Sequence, residues 1–156
     1  MDDAPLHPDV AALGFLLGTW SGEGRGEYPT VKPFDYGEQI RIWHVGKPFL
    51  AYGQRTWALD DGRPLHSELG FFRLFGDRVE LLLSHPSGVI EIEQGALDGT
   101  SLTLASTHVA GTPTAKPVAA LERDVTVSGT TLTYAVRMAA MDLPLQPHLA
   151  AQLTRN

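Results

Sequence analysis

The residues with the widest chemical reach in this chain are its six histidines, because imidazole titrates near neutral pH and ligates transition metals. His7 stands before the first apolar segment, and His85 opens the turn-forming run His85-Pro86-Ser87-Gly88. Both are expected in solvent. His44, His66, His108 and His148 fall in runs with strand chemistry and can point inward. None has the i, i+4 partner of a helical zinc site. A lone strand histidine is more often a hydrogen-bonded residue at the edge of a core than a ligand. A metal-dependent hydrolase built on His44, His66 and His108 is therefore the weakest functional reading.

Carboxylates come next. Glu91 and Glu93 lie two apart, so they share a strand face and could meet a substrate together. Ile90 and Ile92 supply the apolar side of that strand, which puts the two glutamates on a solvated outer face. Glu68 shares a face with His66 and Gly70, again read as a surface pair. No GxSxG, P-loop or dinucleotide fingerprint occurs, and no βαβ unit follows the alternating glycines of residues 22–26. Cysteine is absent. That excludes disulfides, thiolate zinc and iron–sulfur sites, a cysteine nucleophile, and haem attached or ligated through sulfur of cysteine. Twelve Lys and Arg against eighteen Asp and Glu give a net charge of −6 with no basic run. Nucleic acid and anionic membrane surfaces are accordingly not expected partners.

These groups must be positioned by something. Pro8 suits a first helical position, Asp9 the positive helix end, and Val10, Leu13 and Leu17 fall near one face, so a helix is expected over residues 8–17. After Gly18 the pattern changes to strands punctuated by many of the sixteen glycines and eleven prolines. Strands are expected over residues 19–28, 38–45, 49–57, 66–75, 78–84, 89–94, 101–108, 118–127, 131–139 and 145–154. Leu132, Tyr134, Val136 and Met138 share one face of their run, with Thr131, Thr133, Ala135 and Arg137 on the other. No further helix is available for a parallel crossover, so neighbouring strands should pair antiparallel. Closure protects the edges of so many strands. The expected fold is all-β: an up-and-down barrel of about ten strands, calycin-like or fatty-acid-binding-protein-like, with one short N-terminal helix. The 156 residues fit one domain, residues 1–156.

The stretch Gly18-Thr19-Trp20-Ser21-Gly22-Glu23-Gly24 has the form GxWxGxG. A tryptophan there can plug the closed end of a barrel while the glycines permit bends and close backbone approach. Apolar residues 13–17 are too few to span a bilayer, and Met1-Asp2-Asp3-Ala4 lacks the basic and apolar regions of a secretory signal. A cytoplasmic protein is the expectation.

Several segments together resemble the nitrobindin family. They are GxWxGxG at residues 18–24, Tyr28-Pro29-Thr30, Pro33-Phe34-Asp35-Tyr36 and His44-Val45-Gly46-Lys47-Pro48-Phe49. Pro64-Leu65-His66-Ser67-Glu68-Leu69-Gly70-Phe71, His85-Pro86-Ser87-Gly88, Pro113-Thr114-Ala115-Lys116 and Pro144-Leu145-Gln146-Pro147-His148-Leu149 follow in order. The resemblance implies a barrel that holds one haem b per chain noncovalently, with His148 as axial iron ligand. It also implies Thr30 as a haem contact, and Lys116 and Lys32 can neutralise a propionate. Met138 and His66 become pocket residues, His66 without iron coordination. The implied activity is isomerisation of peroxynitrite to nitrate at ferric haem, together with nitric oxide binding. The alternative is a calycin-like carrier of a small lipophilic ligand without catalysis.

Overall fold

Strand runs and glycine turns alternate along most of the chain, and the computed structural model, which describes residues 4–156, turns them into a closed sheet. The start Met1-Asp2-Asp3, read above for a leader signal, lies outside the described residues. A 3-10 helix over Pro8–Leu16 leads into β1 (Gly18–Tyr28), β2 (Val31–Trp43), β3 (Leu50–Ala58), β4 (Pro64–Phe75) and β5 (Arg78–Ser84). β6 (Val89–Asp98), β7 (Ser101–Gly111), β8 (Val118–Ser128), β9 (Thr131–Ala140) and β10 (Gln146–Arg155) complete the series. Each strand pairs antiparallel with its neighbours in sequence, and β10 returns to β1, so no edge is left open. Among the described residues no helix is long and apolar enough to cross a membrane.

Several boundaries differ from the sequence expectation: β6 runs to Asp98 rather than 94 and β7 to Gly111 rather than 108, and two further differences have a local cause. The helix is 3-10 and ends at Leu16, because the residues it buries are Val10, Leu13 and Leu16. That spacing of three is the 3-10 repeat rather than the α repeat. His7 caps it, its Nδ1 accepting from the Asp9 N–H at 3.2 Å. β2 begins at Val31 rather than 38. Pro33 misleads there: β2 pairs with β3 only from Tyr36 onward, so the proline sits where that side carries no ladder.

The helix and Trp20 close one end of the barrel. Trp20 is fully buried, its indole N–H donates to the Leu16 carbonyl at 2.9 Å, and the Arg155 guanidinium stacks 4.4 Å from its ring. Arg155 also donates to the Phe15 carbonyl at 2.6 Å, tying the last strand to the plug. Gly18 has a φ of 131°, a conformation that favours glycine. Gly24 is required for a different reason. It lies opposite Tyr36 across the β1–β2 ladder, and a methyl group there would enter the Tyr36 ring. The GxWxGxG stretch is thus architectural, as its chemistry suggested. Because β1 starts at the plugged end, the β1–β2, β3–β4, β5–β6, β7–β8 and β9–β10 connections all gather at the opposite end and form the mouth.

Gly24→Ala is expected to cost about 1–3 kcal/mol through displacement of the buried Tyr36 ring, read as a lowered melting temperature. An unchanged melting temperature would mean the ring can move aside freely.

Candidate functional site

The mouth opens into a cavity of about 1020 Å³ whose wall includes Phe34, Tyr36, Leu121, Val136, Met138 and Leu149. That is the upper end of the size range of small-molecule sites. His148 and His66 line the same space.

His148 owes its placement to an irregularity. The β9–β10 register shifts between Pro147 and Leu149, so His148 is the extra residue of a β-bulge, a device that re-aims one side chain. Its Nδ1 lies 3.0 Å from the carbonyl oxygen of Glu27. A carbonyl only accepts, so Nδ1 carries the proton and Nε2 keeps its lone pair. Burial pushes the imidazole below the usual histidine range, against the opposing effect of the Glu27 bond, and His66 pushes it down further. The ring is therefore neutral and fit to ligate. Tyr28 stands edge-on to it at 5.5 Å and 78°. The Tyr28 hydroxyl accepts from the Ala140 N–H at 2.9 Å and donates between the carbonyls of Met138 and Ala140 at 3.2 and 3.3 Å. The end of β9 is pinned against the imidazole in this way.

The other expected site residues are distributed around this point. Met138 joins His148 and His66 in the cavity wall, and Lys32 lines it nearer the mouth. Thr30, exposed in the β1–β2 turn, and Lys116, exposed in the β7–β8 loop, lie at the mouth end outside the lining. Of the motif glycines and tryptophan, Gly18, Trp20, Gly22 and Gly24, none lines the cavity. The hydrolase trio does not assemble. His44 sits at the plugged end, its Nδ1 accepting from the Gly46 N–H at 3.2 Å, and His108 is exposed on the outer face of β7.

Four glutamates and one arginine occupy the barrel interior: Glu38, Glu68, Glu91, Glu93 and Arg123 are all buried. This corrects three expectations. Glu91 and Glu93 face inward, because Ile90 turns out, 59% exposed, onto an apolar outer patch with Leu69, Phe71 and Leu82. Glu68 is not part of a surface pair. His85 is not solvated either; its side chain is 11% exposed, with Nε2 2.6 Å from Glu91 Oε1.

Arg123 holds this cluster. Its Nε donates to Glu93 Oε2 at 3.1 Å, and its guanidinium lies 3.5 Å from Glu68 Oε1 and 4.0 Å from Glu91 Oε1. Tyr52 donates to Glu68 Oε1 at 2.6 Å. His66 Nε2 lies 3.0 Å from His85 Nδ1. Burial alone would raise the Glu68 carboxyl, but Arg123, His66, His85 and Tyr52 outweigh it and hold it at about 2. His85 is raised: burial opposes its charge, and Glu91 and Glu68 more than compensate. Burial raises Glu93 beyond what Arg123 recovers. On β2, Glu38 accepts from Gln54 Nε2 at 2.6 Å and from the Tyr134 hydroxyl at 2.7 Å. The Tyr36 hydroxyl follows at 2.7 Å from Tyr134. Burial lifts Glu38 to about 7 despite those donors.

Alternation could have found two of these groups. Glu38 shares the phase of the buried Tyr36, Ile40 and Ile42, and Arg123 that of Leu121, Val125 and Val127. A charged residue in the phase of an apolar face is the signal.

A closed barrel with a ligand-sized cavity and one free neutral imidazole at its wall is a ligand-binding barrel of the calycin type, equipped to hold a metal-centred ligand. Comparison with known proteins narrows the class. The family described as THAP4-like, heme-binding beta-barrel domain matches residues 9–155, and the chain belongs to it. It is 52% identical to "Peroxynitrite isomerase 2" of Mycobacterium avium over 97% of both chains. It is 51% identical to "Peroxynitrite isomerase" of Nocardia farcinica, covering 97% of this chain and 93% of that one. The crystal structure of Rv2717c from M. tuberculosis superposes with a TM-score of 0.92 at 46% identity, over 97% of this chain and 99% of that one. The resemblance read from the motifs is thereby borne out.

Glu38 gives a pH signature. A carboxyl raised in the fold from 4.5 to about 7 contributes stability that is complete below 4.5 and is lost as pH rises through 7. Between about pH 5 and 8 the haem-free protein should lose roughly 2 kcal/mol through this group. His85, raised above 6.5, adds loss of the same sign. Denaturant titrations across that range should show a shallower loss for Glu38→Gln; equal slopes would contradict the assignment.

Proposed function

We propose that this chain binds one haem b noncovalently and acts as a peroxynitrite isomerase and nitric oxide binder, with His148 as axial ligand. The observation that carries the reading is the Nδ1 contact of His148 with the Glu27 carbonyl, which leaves Nε2 free on a cavity wall. Family membership and the names of the mycobacterial and nocardial relatives support it.

The residues present fit the group. With no cysteine in the chain, a neutral imidazole is the strong iron ligand on offer. The Glu27 carbonyl fixes the tautomer and increases the basicity of Nε2. Tyr28 prevents the ring from swinging off its bearing. Phe34, Leu121, Val136, Met138 and Leu149 supply an apolar wall for a flat macrocycle. Lys32 in the lining, with Thr30 and Lys116 at the rim, can receive the propionates.

Bound haem would supply a Lewis-acidic iron for isomerisation of peroxynitrite to nitrate, a reaction with no net gain or loss of electrons. The protein need not provide a general base. Its part is to hold the metal from one side and to shield it within the barrel. Carriage of a fatty acid fits less well, since its carboxylate head group would meet four buried glutamates against one arginine.

Nitrate yield from peroxynitrite should rise in proportion to haem occupancy, and His148→Ala should lower yield and haem affinity together. Equal yields from haem-free and haem-loaded protein would overturn the enzymatic reading.

A further inference from the structure

In the wall of the proposed haem cavity, three ligand atoms converge with nothing in the proposed isomerase chemistry to use them. His66 Nε2, His85 Nδ1 and Glu68 Oε2 are separated by 3.0, 3.4 and 3.7 Å. Donors on a tetrahedral first-row metal, with bonds of about 2.0–2.1 Å, stand about 3.4 Å apart. We propose that His66, Glu68 and His85 form a second metal site, for a divalent cation of the zinc class, separate from the haem iron.

Each ligand is already oriented for this role. His85 presents Nε2 to Glu91 Oε1 at 2.6 Å, the carboxylate–histidine arrangement that directs Nδ1 at a metal. Glu68 spends Oε1 on Tyr52 and Arg123, at 2.6 and 3.5 Å, and turns Oε2 to the two imidazoles. His66 and Glu68 are two apart on β4 and share its inner face, while His85 arrives from the β5–β6 turn. Three protein ligands leave a fourth position, and all three line the cavity, so water or a small anion can complete the shell.

The charge inventory is an independent argument. Three buried glutamates, Glu68, Glu91 and Glu93, share one buried arginine. Glu91 Oε2 and Glu93 Oε1 are buried with no hydrogen-bond partner. A cation beside Glu68 and Glu91 offsets an excess of acid that Arg123 alone does not balance. Two histidines and one glutamate also match a common zinc donor set.

The site is tested in haem-free protein cleared with a chelator, so that its failure is separate from failure of the haem reading. Titration with Co2+ should give the visible bands of a four-coordinate ion, saturating at one equivalent and displaced by Zn2+. His148→Ala should leave that titration unchanged. His66→Gln, at a partly exposed position, should abolish the bands. Glu91→Gln keeps all three ligands and should weaken binding by about 10–100-fold. No saturable spectrum with excess Co2+, or a spectrum that survives His66→Gln, would overturn the proposal.

Discussion

One hydrogen bond organises the candidate haem site: the Nδ1 of His148 to the carbonyl of Glu27 at the end of β1. It joins the last strand to the first across the barrel seam, fixes the imidazole tautomer and decides which nitrogen meets a ligand. Everything needed to make it comes from local sequence. Pro147 and the bulge at His148 turn the ring out of the regular ladder, and Tyr28 closes on it from β1. Strand closure then does the rest, since β1 and β10 meet only because the barrel is complete.

A second constraint is electrostatic. The interior carries charge that an apolar core would avoid, and it is stable only as a connected set. Arg123 touches three glutamates, and Tyr52 and His85 bond the same Oε1 atoms of Glu68 and Glu91 that face it. Removing a partner from such a set leaves a charge buried and unpaired, which is far more costly than the set's net contribution. The polar wall also shapes what the cavity accepts. It favours a ligand with cationic or metal character at its inner side and an apolar body toward Phe34 and Leu149.

The fold was legible in the sequence because its signals are repeated. Glycine turns and alternation recur at every strand, so errors at Pro33 or the helix end move boundaries without altering topology. The resemblance singles out His148 as the candidate axial residue and Thr30 from the segment Tyr28-Pro29-Thr30, but gives no role to Tyr28, whose contact with the imidazole only the structure reveals; strand phase alone singles out none of them. The interior ion network was not legible. Ile90 and Ile92 look like the apolar side of β6, and only the apolar patch made by Leu69, Phe71 and Leu82 on neighbouring strands reverses that reading. His85 was hidden likewise: a turn sequence implies solvent, but this turn folds back over the cavity and buries its first residue.

The most direct test is a crystal structure of the protein saturated with hemin. The account predicts iron on Nε2 of His148, with the Nδ1 bond to Glu27 retained and no protein ligand on the opposite side. Iron held by His66 or His85, or an imidazole at residue 148 left unligated, would contradict it.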